Sequence, residues 1–285
     1  MFTNCRINII PVILFALFAA ILSAAQPTPV PKGTLVIVGG NGMPDDIMEA
    51  FLAASGGAGA RIGIIPTASA TPDAALTSWK ESLDKAGAVM VPLDVRSRED
   101  SDLASMLDAA KTCTGYWFSG GDQNRIADKI VGTPLQKIIA ERYAEGACVG
   151  GTSAGAAIMS HIMITGVDLN GNSSLAEMGS GAYRTRKGMG FLPGHCIIDQ
   201  HFLKRNRQNR LFSLMMEHPD KLGLGIDEAT GLVVAGGVAK VLGRSSVMVF
   251  DPGDMKQDNS GGFQNMKIHL IGKGQSLDLN TRKVQ

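Results

Sequence analysis

Gly151-Thr152-Ser153-Ala154-Gly155 follows the apolar run Ala147-Cys148-Val149 and precedes Ala156, Ala157, Ile158 and Met159, residues that suit a helix start. A G-x-S-x-G pentapeptide between a strand and a helix is a nucleophile elbow. The glycines permit a tight, strained turn that lifts the serine hydroxyl off the sheet edge. The new helix then offers free backbone N–H groups to a developing oxyanion. A plain strand-to-helix turn of small residues has the same pattern. A base and an acid elsewhere in the chain decide between the two.

Upstream of the elbow the chain alternates between two periods. Residues 33–40, 61–66, 88–93 and 114–118 are short apolar runs that read as buried strands. Helical stretches fall between them, over 45–54, 73–86, 102–111 and, in two pieces, 124–143. A fifth strand ends at the elbow. Strands and helices alternating at these lengths predict an α/β fold, a parallel sheet with helices on both faces. Downstream, 171–187 is polar and Gly-rich and reads as a long loop. Residues 194–199 read as a strand, 205–218 as a helix, and the chain from Leu222 onward as a β-rich section. No repeat or linker divides residues 26–285, which are expected to form one domain.

The first 25 residues read as an export signal. Arg6 supplies the positive charge, 9–21 the apolar stretch, and Ser23-Ala24-Ala25 the small-residue cleavage site before Gln26. The expected mature protein is secreted or periplasmic and free of the membrane. A net charge of +1 and few aromatics argue against nucleic-acid binding. Cys113, Cys148 and Cys196 lie in or beside apolar runs and read as small buried hydrophobes. His195-Cys196 with His201 forms no closed ligand set, so no metal or other cofactor is expected.

Five histidines are available as the base. His161 is placed on the elbow's own helix, over two turns away. His195 opens a strand, His218 sits at a helix C-terminus, and His269 lies in an alternating strand. His201 follows a strand end, and catalytic groups of parallel sheets gather beyond the C-terminal ends of the strands. Ser153 shares that position. For the acid, Leu224-Gly225-Ile226-Asp227-Glu228 offers two carboxylates, and strand alternation leaves either open. Ser…His…acid is not the order of a standard α/β-hydrolase. That alternative requires His269 as base with Glu228 or Asp251 as acid.

Phe118-Ser119-Gly120-Gly121-Asp122-Gln123 also ends a strand. Its glycines let backbone approach a ligand, and an amide at Gly121 could join the N–H of Ala154 in an oxyanion hole. The run 199–210 is polar. It carries Arg205, Arg207 and Arg210, with Arg207 and Arg210 on one face if the segment is helical. Guanidiniums there suit carboxylate recognition, although such a run is also what a solvated helix face looks like.

In combination, 118–123, 150–156, 199–210 and 225–230 resemble the cyanophycinases, serine peptidases related to the aspartyl dipeptidases called peptidase E. The resemblance covers nearly all of the expected mature chain. It implies a three-layer sandwich of the flavodoxin-like, class I glutamine amidotransferase-like type. It implies a triad of Ser153, His201 and Glu228, with Gln123, Asp199, Gln200, Arg205, Arg207 and Arg210 around the substrate. The implied substrate is cyanophycin, a poly-aspartate with arginine on each β-carboxylate, and the implied product is the β-Asp-Arg dipeptide. Relatives also imply a homodimer. Competing expectations are an aspartyl dipeptidase and a non-catalytic binding protein on the same fold.

Overall fold

Leu35–Val38 (β1) is fully buried, with Leu35 and Ile37 packed on one face and Val36 and Val38 on the other. A strand covered on both faces has to be continuously apolar, and this one is. The structure is a computed structural model that describes residues 31–168, 178–179, 181–258 and 262–285. The expected export signal and residues 26–30 lie outside the described residues.

From β1 the chain runs through α1 (Asp45–Ala54), β2 (Arg61–Ile65), α2 (Pro72–Lys85), β3 (Val89–Pro92), α3 (Ala104–Lys111), β4 (Gly115–Phe118), α4 (Gln123–Lys129) and α5 (Pro134–Glu145). It continues through β5 (Cys148–Thr152), α6 (Ala154–Ala157), β6 (Ile162–Asp168), β7 (Tyr183–Lys187), β8 (Cys196–Gln200), α7 (Gln208–Glu217) and β9 (Leu222–Ile226). It closes with β10 (Thr230–Ala235), β11 (Val238–Gly243), β12 (Ser246–Asp251), β13 (Lys256–Gln257), β14 (Phe263–Gln264), β15 (Lys267–Gly272) and β16 (Ser276–Asp278).

The central sheet has 8 strands in the order β16-β11-β10-β1-β5-β4-β2-β3. The run β3-β2-β4-β5-β1 is parallel, as expected. Counted from β2, its first four strands repeat the 2-1-3-4 order of flavodoxin-like sheets, and β1 takes the fifth place. The sheet is not parallel throughout. β10, β11 and β16 add to it antiparallel. The β10–β11 reversal has a local cause: Gly236 and Gly237 join the two strands with φ 56 and 83, and a two-residue hairpin turn of that hand needs positive φ at both positions. The remaining C-terminal strands build a second, 4-stranded sheet, β15-β12-β9-β8, in which only β8 and β9 are parallel.

Two apolar clusters sandwich the central sheet. On one side, Ile47 and Phe51 of α1 and Leu83 of α2 meet Trp117, whose ring lies 4.9 Å from that of Phe51. On the other, Ile126, Leu135 and Ile139 share a cluster with Leu222, Leu224, Val247 and Val249 of the second sheet. That second layer matters most for function, because it presses the ends of β8 and β9 against the ends of β1 and β5.

Three local expectations change. The helix after the elbow stops at Ala157, so His161 lies beyond it, exposed, just before β6. Residues 183–187 are a strand paired with β6, not loop; 171–177 and 180 lie outside the described residues. The helix expected from Arg205 begins at Gln208, because His201 and Asn206 adopt φ 50 and turn the chain first.

Candidate active site

Ser153 stands between β5 and α6 with φ 53 and ψ −108. A non-glycine residue in that region stores about 1–3 kcal/mol of strain and persists only where its surroundings hold it. Its N–H is held by Val38 O at 2.9 Å. The next carbonyls along the chain do the same for His201 and for Ala229, which follows Glu228. His201 N–H donates to Gly39 O and Ala229 N–H donates to Gly40 O, each at 2.8 Å. The end of β1 therefore pins Ser153 from the central sheet and both partners from the second sheet. A side chain at Gly40 (φ 113) would overlap the His201 ring, which lies against this backbone.

Ser153 Oγ lies 2.9 Å from His201 Nε2, and His201 Nδ1 lies 2.6 Å from Glu228 Oε1. The protons on this chain follow from Glu228. Asn41 Nδ2–H donates to its Oε2 at 2.7 Å. That bond, followed by the one from His201, holds the carboxyl below its usual range, so Glu228 is an acceptor only. His201 Nδ1 therefore carries the ring proton, and Nε2 accepts from the Ser153 hydroxyl. Burial is the largest influence on His201 and lowers its pKa, outweighing the opposing hydrogen bond to Glu228. The imidazole rests neutral beside a serine hydroxyl.

Alternation along β9 left Asp227 and Glu228 open, and the packing separates them. Asp227 Oδ1 accepts the Lys204 N–H at 2.9 Å and Oδ2 accepts the Ser245 hydroxyl at 2.7 Å. It staples two turns together. The other histidines do not reach Ser153. His195 Nε2 bonds Leu279 O at 2.7 Å, His218 ends α7, and His269 lies on β15 across from Val249. Cys113, Cys148 and Cys196 are free and buried, and burial raises Cys148 and Cys196 to about 12, which leaves them unreactive.

Gly120 backs onto the serine; a Cβ there would lie 3.3 Å from Ser153 Cβ. Among the described residues, the amides of Gly121 and Ala154 donate to no protein acceptor. Gln123 is buried, with Nε2 donating to Ile164 O at 2.8 Å, so it ties α4 to the β6–β7 hairpin. Gln200 is also buried, with its Oε1 3.5 Å from Ser153 Oγ.

The arginine run is rearranged relative to expectation. Arg207 precedes α7, so no shared helical face with Arg210 exists. Arg210 Nη2 donates to Asp199 Oδ1 at 2.9 Å, and its Nε lies 2.9 Å from Oδ2. The pair is buried, with 6% of the arginine side chain and 0% of the aspartate exposed. Asp199 and Arg210 occupy each other and are not open to a ligand. Arg207 Nη1 donates to Gln200 O at 2.7 Å, bracing the residue before His201, and burial lowers its pKa to about 10. Arg205 alone of the three is half exposed, with Nε 3.9 Å from Glu228 Oε1. Asn41 was not foreseen. The only hint is its place in Gly39-Gly40-Asn41-Gly42, just past a parallel strand end.

Residues 35–242, which contain Ser153, His201 and Glu228, match peptidase family S51. A cyanophycinase from Synechococcus elongatus is 36% identical over 270 residues, covering 89% of this chain and 81% of that protein. A cyanophycinase from Trichormus variabilis is 35% identical over 280 residues, covering 92% and 91%. The crystal structure of a peptidase from an acI-B1 Actinobacterium has the same fold, with a TM-score of 0.66 at 23% identity over 86% of this chain and 96% of that one.

Proposed function

The chain belongs to peptidase family S51 and is a serine-type peptidase, and on that premise we propose that it hydrolyses cyanophycin to β-Asp-Arg dipeptides through Ser153, His201 and Glu228. The observation that carries this reading is the unbroken hydrogen-bonded chain from Ser153 Oγ to Glu228. His201 Nε2 takes the hydroxyl proton as Ser153 Oγ attacks the carbonyl between two backbone aspartates. Glu228 stabilises the imidazolium that forms. The tetrahedral oxyanion meets the N–H groups of Ala154 and Gly121. His201 then gives its proton to the leaving amine, and water repeats the cycle on the acyl-enzyme.

Substrate recognition differs from a simple cluster of three free arginines. Arg205 is the guanidinium open to a substrate carboxylate. Arg207, Arg210 and Asp199 support the floor on which Gln200 and His201 sit. The test is to incubate the protein with insoluble cyanophycin and, separately, with Asp-X dipeptides, and to identify the products by mass spectrometry. β-Asp-Arg from the polymer is the expected result. Intact polymer with cleaved dipeptides assigns the enzyme to aspartyl dipeptides instead.

The base also sets a pH dependence. An ordinary histidine titrates near 6.5, and burial lowers His201 below that. Only the neutral ring accepts the serine proton, so kcat/KM is lost as pH falls through the lowered pKa. The acid limb of the kcat/KM profile is expected below about pH 6.5. A limb above that value rules out His201 in this environment as the base.

We also place the enzyme outside the cytoplasm, on the strength of Arg6, the apolar stretch 9–21 and Ser23-Ala24-Ala25. N-terminal sequencing of the exported protein should then begin at Gln26. An intact Met1 on the exported protein contradicts cleavage there.

A further inference from the structure

Glu228 has two oxygens with unequal surroundings. Oε1 accepts from His201 Nδ1 at 2.6 Å and also faces Arg205 Nε at 3.9 Å. Oε2 accepts from Asn41 Nδ2 at 2.7 Å. The terminal torsion of a glutamate is broad and has no sharp minimum of its own. One hydrogen bond to His201 therefore does not fix the plane of the carboxylate, and a half-exposed guanidinium stands ready to turn it. A second bond to the other oxygen does fix it.

We propose that Asn41 is a positioning residue, which clamps the Glu228 carboxylate so that it holds the His201 ring in the orientation and tautomer that accept the Ser153 proton. The inference rests on the triad reading above. The local backbone supports it. Asn41 has φ 48, between Gly40 at 113 and Gly42 at 105. Such a loop needs a residue tolerant of the left-handed region, and asparagine is one of few that also carries an amide donor on a short stem. The Asn41 backbone follows directly on Val38 to Gly40, whose carbonyls hold Ser153, His201 and Ala229. Its side chain is thus referenced to the same four-residue segment as the groups it orients. Asn41 touches neither Ser153 nor His201 by a hydrogen bond, so its effect passes through Glu228.

Two substitutions separate the amide from the backbone. Asn41→Gly keeps the positive φ and removes the donor. Asn41→Asp keeps the shape and tolerates the backbone, but turns the donor into an acceptor. A hydrogen bond to a charged group contributes enough that kcat on solubilised cyanophycin should fall about 10-fold in Asn41→Gly, with KM unchanged. Asn41→Asp should fall further, about 100-fold, as like charges repel the two carboxylates. It should also move the acid limb of kcat/KM to higher pH. The charged groups facing His201 are Glu228, Arg205 and Arg207, and a new carboxylate adds to the side that favours the imidazolium. Asn41→Gly adds no charge and keeps the loop's backbone, so a residue that only shapes the loop would leave kcat at the wild-type value in that variant.

Wild-type kcat with an unmoved acid limb in Asn41→Asp overturns the inference, as does a loss in Asn41→Gly that appears in KM alone. Ser153→Ala run in parallel distinguishes the two levels. If it is inactive while both Asn41 variants behave as wild type, only the role of Asn41 falls. If it keeps full turnover, the triad falls and the inference with it.

Discussion

Ser153→Ala is expected to lose about 10⁶-fold in turnover of cyanophycin while still binding the polymer. The size of the loss follows from the geometry. Without Oγ, His201 Nε2 has nothing to deprotonate at 2.9 Å, and no acyl-enzyme forms. The fold should survive, because alanine keeps the Cβ of Ser153 and the N–H bond to Val38 O. Binding should survive because Arg205 is untouched. The measurements are dipeptide release and co-sedimentation with cyanophycin granules. Turnover near the wild-type rate in the alanine variant sinks the covalent mechanism. Loss of sedimentation as well as turnover points to a damaged site and not to a missing nucleophile.

The largest effect on stability is expected at Asp199. Its carboxylate has no exposed surface and meets Arg210 through both oxygens, with Arg207 Nη1 a further 3.8 Å from Oδ1. Asp199→Ala leaves a buried guanidinium without a counter-charge, which costs about 3–5 kcal/mol. For a domain of this size that lowers the melting temperature by roughly 10 °C. The pair itself is not expected to be worth so much. Replacing Asp199 and Arg210 together by leucine should recover most of the loss, since the buried charges then disappear as a pair. Thermal melts of Asp199→Ala and of the double variant test this. A double variant as unstable as Asp199→Ala shows that packing, and not the stranded charge, sets the cost.

Much of this was legible from local pattern. β1 and β4 are buried on both faces, and a strand in that position leaves a continuous apolar run in the sequence. The elbow was legible because the strained turn needs small residues around Ser153. The place of His201 beside Ser153 was legible because Asp199 and Gln200 end a strand. Asp227 and Glu228 were not separable by alternation for a concrete reason. β9 ends at Ile226, and Ala229 turns the chain with φ 51, so the period of two no longer applies at Asp227 and Glu228. Arg207 and Arg210 do not share a helical face because the chain turns twice, at His201 and Asn206, before α7 begins at Gln208. Asn41 was invisible because its partner lies 187 positions away, a relation no local pattern encodes. The antiparallel strands β10 and β11 left a signal in Gly236-Gly237, but two glycines cannot say which sheet a hairpin will join.

The way the end of β1 gathers its partners has a consequence for how the enzyme comes into being. The bonds from Val38, Gly39 and Gly40 span very distant parts of the chain, and contacts of that range form late because a long loop must first close. Pairing β1 with β5 already holds the Ser153 backbone, but His201 and Glu228 come beside it only when the second sheet meets Gly39 and Gly40. On the proposed mechanism, a copy in which His201 and Glu228 have not yet docked against the end of β1 has no base beside Ser153.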